Sequence, residues 1–391
     1  MSDPGATLPR HVYVHVPLCR SKCSYCDFFS LTPDRLPVTP EGLVDALVNQ
    51  ARAWAERGVA PAGIDTLYVG GGTPTMLGDG LATLVSALAI WAGAEPDAEI
   101  TIEANPESVT PELLELLAMA GVTRVSLGVQ SLDDAELAML GRAHVASRAI
   151  AAATWVTEAG LDLSVDLMCG LPGQSAADWR RTLDRAVTTD ADHMSVYPLS
   201  LEAGTPLAAV VAVGDAAEPD PDVVADMLLE AAAVLKTTGL LRYETANYAR
   251  PGHESRHNTA YWTGAPYLGV GPGAHGMLSA ATAREAGFIV ADGIGRVRYA
   301  IACSAETGLG IMPEVTVELL DRGESAREDA MLGLRLTRGI DDGLATRAAV
   351  TGVLEGLAAD GLVVHADGRW ATTERGWLLG NEVFSRVWAG E

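Results

Sequence analysis

The stretch HVPLCRSKCSYCDFF, residues 15–29, opens on the end of a strand-like run, His11–Val16, and places Cys19, Cys23 and Cys26 within eight residues. Thiols this close in a chain with few cysteines read as metal ligands rather than disulfides. A structural zinc site needs four ligands, usually as two paired knuckles, and no second Cys or Cys/His pair stands at suitable spacing. A four-iron cluster held by three cysteines keeps one iron free of protein ligands, open to a small molecule. The remaining cysteines, Cys169 and Cys303, lie far along the chain and are expected to be dispensable.

Outward from this stretch, short β-like runs alternate with helical patterns. The runs are His11–Val16, Thr66–Gly70, Glu99–Ala104, Arg124–Gly128, Asp162–Met168 and His193–Pro198. Between them lie periodic segments at Gly42–Arg57, Gly80–Trp91, Pro111–Ala120, Ser147–Glu158 and Ala176–Ala186. Such alternation predicts parallel βα units with right-handed crossovers. Six units are too few to close a (β/α)8 barrel, so the expectation over residues 8–240 is an α/β fold: a partial, open (β/α)6 TIM-like barrel. Residues 241–311 read as a connecting segment rich in Tyr, His, Asn, Gly and Pro. Residues 312–391 read as a small α+β module. Its helical patterns (Glu328–Leu336, Ala345–Thr351, Val353–Asp360) precede strands Leu362–His365 and Trp370–Thr372, joined at Asp367-Gly368, a favoured hairpin turn and a winged-helix-like plan.

Bulk properties exclude several classes. The net charge of −24 opposes non-specific binding to nucleic acid or anionic lipid. The module from 311 onward carries 8 Arg and no Lys against 14 Asp and Glu, the wrong balance for tracking phosphates, so packing against the barrel is expected instead. Leu81–Ala94 is too short to span a bilayer, and Thr263–Ala283 is broken by Gly and Pro. No basic-then-apolar leader opens the chain, and a cytoplasmic protein is expected.

The chemistry-bearing residues follow the strands. Gly70-Gly71-Gly72-Thr73 lets backbone approach a ligand closely. Glu103 offers a ribose acceptor, with a helix-start acid as the plainer alternative. Gln130, Arg142 and Asp166 add an amide, a cation and an acid. Ligand sites of parallel α/β folds lie at carboxyl strand ends, so these residues are expected to converge on one cavity.

The ordered motifs YVHVPLCRSKCSYCDF, YVGGGTPT, IEANPES, RVSLGVQS, LGRAH and DLMCGLPGQ resemble the oxygen-independent coproporphyrinogen oxidase-like (HemN-like) branch of the radical S-adenosylmethionine (SAM) proteins. The resemblance implies a [4Fe-4S] cluster on Cys19, Cys23 and Cys26. It also implies SAM beside Tyr13, Gly71, Gly72, Thr73 and Glu103, with Tyr25, Gln130, Arg142 and Asp166 at a second SAM or substrate position. Two departures point away from coproporphyrinogen decarboxylation: Phe28 stands where the oxidases carry a fourth cysteine, and only twelve residues precede Tyr13. RHNTAYW, with His257, Asn258, Tyr261 and Trp262, matches the HNxxYW motif of the sister group of haem chaperones. That match implies haem as cargo, acceptor haemoproteins and an electron donor as partners, and His257 as a haem ligand. His253 and His275 are nearby competitors, and a packed core histidine is the plainer reading. The rival function is SAM-dependent decarboxylation of coproporphyrinogen III or modification of another tetrapyrrole.

Overall fold

A computed structural model of the chain describes residues 8–59, 61, 63–311 and 313–391. Six parallel strands run in sequence order: β1 (His11–Val16), β2 (Thr66–Gly71), β3 (Glu99–Ala104), β4 (Arg124–Gln130), β5 (Asp162–Cys169) and β6 (His193–Pro198). Their alternation sets two faces. Val12, Val14 and Val16 of β1 are fully buried against the surrounding helices, while His11, Tyr13 and His15 share the other, inner face. The register pairs Tyr13 with Tyr68 and His15 with Gly70, so inner-face residues of neighbouring strands stand side by side.

The helices between these strands form where caps and apolar spacing agree. Pro40–Glu56 starts on Thr39, whose hydroxyl accepts from the Gly42 N–H, and buries Leu43, Leu47 and Trp54. Ala176–Ala186 starts on a Ser175/Asp178 capping box and buries Trp179 and Leu183. Each fully buried aliphatic or aromatic side chain contributes on the order of 1.5–3 kcal/mol.

Residues 241–321, of which 241–311 read in sequence as a connecting segment, add strands to this sheet. β7 (Leu241–Arg242) and β8 (Asn247–Ala249) extend one edge beyond β6. β9 (Tyr267–Val270), β10 (His275–Ser279), β11 (Ile294–Ile301) and β12 (Val315–Asp321) extend the other. β9 lies parallel to β1, a seventh parallel strand in a twelve-stranded sheet of order β12-β11-β10-β9-β1-β2-β3-β4-β5-β6-β8-β7. Its four residues sit between Gly264-Ala-Pro266 and Gly271-Pro272, too short and too hemmed by breakers to stand out as a strand. The architecture is an α/β, TIM-like open barrel with a small α+β module.

The C-terminal module has its own core around Leu334, Leu354, Leu357, Trp370 and Phe384. Its strands β13 (Ile340–Asp341), β14 (Val363–Ala366) and β15 (Arg369–Thr372) pair in the order β13-β15-β14. The expected hairpin turn is present: Asp367 and Gly368 take φ of 50° and 71°, as a type I′ turn requires. Its first helix starts at Arg322, earlier than the periodicity indicates, on a capping box of Asp321 and Glu324. β12 belongs to the large sheet although it falls in the stretch assigned to the module, and Met312, the expected boundary, lies outside the described residues. The module packs on the barrel through Glu328, which is buried and bonded to Arg296 and Arg298 of β11, and through Trp377, whose Nε1–H donates to the Thr245 carbonyl at 2.8 Å. Among the described residues no helix is long and apolar enough to cross a membrane.

Candidate cofactor-binding site

A cavity of about 500 Å³ opens at the carboxyl ends of the parallel strands. Cys19, Cys23, Cys26, Tyr25, Gly71, Gly72, Thr73, Glu103, Gln130, Arg142 and Asp166 all line it. Tyr13 does not. Its ring lies beside Tyr68 at 6.1 Å and its hydroxyl meets His15 Nδ1 at 3.0 Å, behind the cavity wall.

The cysteine loop is pinched at its base, where Cys19 N–H donates to Leu31 O at 2.9 Å and Leu31 N–H to Pro17 O at 2.7 Å. The Ser24 N–H reaches across to Leu140 O at 3.1 Å, fixing the loop's middle to the Arg142 segment. His15 Nε2 lies 2.8 Å from the Phe29 carbonyl and secures the far end.

A ring of polar contacts joins two of the sulfurs. Cys19 Sγ lies 3.6 Å from Thr73 Oγ1, which accepts from Asn105 Nδ2 at 2.9 Å. Arg142 Nη2 donates to Asn105 Oδ1 at 2.5 Å and to the Gly128 carbonyl at 2.6 Å, and its Nη1 faces Cys23 Sγ at 3.5 Å. Burial pushes the Cys19 and Cys26 thiols up, so they lose their protons to a bound metal rather than to water.

The donor set suits a cluster. One zinc ion with bonds of about 2.3 Å would draw its sulfurs to within about 4 Å of each other. Among the described residues, the three side chains whose ligand atoms all lie within 4.8 Å of one another are Asp162, Asp192 and His253, so at least two of the three cysteine sulfurs stand farther apart than that. Arg142 Nε is buried without a hydrogen-bond partner, in a residue that lines the cavity.

The glycines permit close approach. Gly71 has a φ of 106°, and an added Cβ would meet the His15 ring at 2.6 Å; at Gly72 it would lie 2.7 Å from Leu18 O and 3.0 Å from Cys19 Sγ. Glu103 accepts from the Gly71 N–H at 2.8 Å and from the Tyr68 hydroxyl at 2.9 Å. Burial nevertheless pushes its carboxyl up to about 7 against those two bonds. Asp166, also pushed up by burial, accepts from Ser126 Oγ at 3.1 Å. Gln130 sits at a bulge between β4 and β5 with φ of 66°, which turns its side chain into the cavity. Asn105 escaped the sequence reading, although it lies inside the IEANPES motif; only its bonds to Thr73 and Arg142 reveal it.

The RHNTAYW segment lies elsewhere. It forms a short helix, Arg256–Trp262, that plugs the amino-terminal ends of the strands. Glu99 anchors its start, accepting from the Arg256 and His257 N–H groups at 2.9 and 3.0 Å. His257 is 1% exposed, with Nδ1 at 2.7 Å from Thr66 Oγ1 and Nε2 at 2.8 Å from the Tyr261 hydroxyl. Burial lowers its pKa to about 3. With both ring nitrogens hydrogen-bonded and the ring buried, His257 would have to give up one of these bonds to meet haem iron. Asn258 reaches the cavity floor, Tyr261 packs edge-on against Tyr267 at 4.6 Å, and Arg335 covers Trp262 at 5.0 Å.

Comparison with known proteins agrees with this arrangement. The family model of the Radical SAM superfamily matches residues 13–186, and that of the HemN C-terminal domain matches residues 320–379. The chain is 39% identical to "Heme chaperone HemW" of Mycobacterium tuberculosis over 384 residues, covering 96% of this chain and 94% of that one. It belongs to the HemW family. The HemW of Bacillus subtilis is 32% identical over 390 residues, 96% of this chain and 98% of that one. The solved structure of coproporphyrinogen III oxidase (HemN) from Escherichia coli superposes with a TM-score of 0.78, covering 97% of this chain and 90% of that one. At 22% identity that likeness carries the fold alone. The Radical SAM family implies a [4Fe-4S] cluster and SAM for HemW-type chains, and the cavity supplies both a cysteine triad and a polar wall for them.

Proposed function

We propose that this protein binds a [4Fe-4S] cluster and SAM in the barrel mouth, and binds haem for transfer to acceptor haemoproteins. The observation that carries the reading is similarity to heme chaperones along nearly the whole chain, in a cysteine loop that ends in Phe28 rather than a fourth sulfur.

Cys19, Cys23 and Cys26 would hold the cluster, and Thr73 and Arg142 stand beside two of the sulfurs. Bound there, the cluster supplies one-electron chemistry and an open iron for SAM. Gly71, Gly72 and Thr73 leave room for the amino-acid end of SAM; Glu103, held by Tyr68 and Gly71, presents a carboxylate edge to hydroxyls. Gln130, Arg142, Asp166 and Tyr25 add further polar lining to the same cavity. An electron donor is required as a partner, and the cytoplasm suits thiols that must stay free for iron.

The test is anaerobic reconstitution, then haem titration and a coproporphyrinogen assay on the same sample. The expected result is haem binding with no conversion of coproporphyrinogen III, even with SAM and a strong reductant. Robust decarboxylation together with absent haem binding would transfer the assignment to the oxidase reading.

A further inference from the structure

A haem carrier needs an open axial ligand, an apolar surface for the macrocycle and cations for its propionates. Eight histidines are available. His15, His144, His193 and His257 have both ring nitrogens hydrogen-bonded. His11 and His253 are each bonded at Nδ1, to Thr66 and Asp162, at the amino-terminal strand ends among charged groups. His365 lies in the C-terminal module, stacked on Trp370 and bonded to Asp342. Among the described residues, His275 is the histidine that is exposed with a ring that makes no hydrogen bond.

Its position matters as much as its freedom. His275 begins β10 and pairs with Ala300 near the end of β11. The turn before it is tied to β11 by Gly273 N–H to Ile301 O at 3.1 Å and Ile301 N–H to Ala274 O at 2.8 Å. A Cβ at Gly273 would lie 3.3 Å from Phe29 Cβ, 3.6 Å from Cys303 Sγ and 3.9 Å from His15 Cε1. The far end of the cysteine loop, Cys303 and the turn leading to His275 therefore meet at one shoulder of the barrel mouth. Cys303, distant in sequence from the cysteine loop, is its neighbour in space.

This shoulder carries apolar surface that nothing covers among the described residues. Phe28, one of four phenylalanines in the chain, is 60% exposed. Gly308 packs on Pro272 of the same turn, and Ile311 beyond it is 59% exposed. In a chain of net charge −24, the loop beside Phe28 presents Arg20 and Lys22, both exposed and without ion-pair partners among the described residues, against the single acid Asp27.

We propose that haem binds on this shoulder, with the His275 imidazole as axial ligand, Phe28 against the macrocycle and Arg20 and Lys22 facing the propionates. The assignment rests on the haem-carrier reading above and places haem at the rim of the polar cavity, whose lining includes Phe28 and Lys22, on the side of the His275 turn. Burial and the Arg298 charge hold His275 below the usual histidine range, so its lone pair is free at neutral pH.

The experiment titrates haemin into the cluster-loaded full-length protein and follows the Soret band. His275→Ala should lose at least tenfold in affinity and shift the Soret band, and added imidazole should restore the wild-type spectrum. Phe28→Ala should weaken binding without moving the band, and His257→Gln should keep the band in place. Wild-type spectrum and affinity in His275→Ala would overturn the assignment. So would a spectrum that changes only in Cys303→Ala, which would make the thiolate the ligand. Failure of the wild type to bind haem at all would instead defeat the carrier reading on which the assignment depends.

Discussion

Replacing Glu103 by Gln isolates the electrostatic cost of the SAM pocket. The carboxyl sits in the cavity wall with a folded-state pKa of about 7 against an ordinary 4.5, because burial outweighs the bonds from Gly71 and Tyr68 and Asp166 adds repulsion. The pKa is raised, so the folded state holds its proton over a range in which the unfolded chain has already lost it. Stability is then fully present below about 4.5 and is lost as pH rises through about 7. The difference of roughly 2.5 units, at about 1.36 kcal/mol each, sets an upper figure of about 3 kcal/mol, which cavity water reduces. Glu103→Gln keeps an acceptor for the Gly71 N–H and removes the ionisation. Urea unfolding of the cluster-free protein between pH 5 and pH 8 should show the variant gaining on wild type by up to about 3 kcal/mol as pH rises. SAM affinity of the cluster-loaded protein should move the opposite way: a cationic ligand favours ionised Glu103, so wild-type binding tightens across pH 6–8 while the variant stays weaker and flat. A stability difference that does not vary with pH, or that grows in favour of wild type as pH rises, would refute the assignment of this strain to Glu103.

Three other outcomes are expected. Cys23→Ala should abolish the visible charge-transfer absorption and the iron content, whereas Cys169→Ala, at a buried thiol pushed up to about 12 at the end of β5, should retain both. Gly71→Ala should cost at least about 2 kcal/mol by thermal or urea unfolding, because its φ of 106° disfavours any side chain and the His15 ring occupies the space. Asn105→Ala should cost about 1–3 kcal/mol by leaving Thr73 and Arg142 partly unsatisfied, and should speed cluster loss in air, measured by the decay of its visible absorption.

The sequence was most legible where one local rule acted alone. β1, β3 and β6 occupy their expected spans because each is a short run in which apolar residues alternate with polar or aromatic ones, and Asp367-Gly368 makes its turn through local backbone preferences. The cavity lining was legible for a related reason. In a parallel sheet each strand delivers its following residues to the same end, so order along the chain becomes position in space. β9 was not legible, since four residues between breakers gain their strand conformation only from pairing with β1. Nor was Asn105, whose importance is a pair of hydrogen bonds to residues 32 and 37 positions away.

By itself, then, the order of motifs determined a parallel α/β barrel with a cysteine loop, a glycine strip and a sequence of polar residues at its mouth. Spacing and alternation are properties of short windows of chain, and those windows fold much as they read. What only the tertiary structure decided was which polar side chains are free. His257 and His275 stand eighteen residues apart as two unremarkable imidazoles in sequence. Folding seals the first between Thr66 and Tyr261 at the barrel's closed end and leaves the second exposed beside the cysteine loop. A side chain's capacity to bind a ligand depends on what already fills its hydrogen bonds, and one of the two partners of His257, Thr66, lies 191 positions away in the chain.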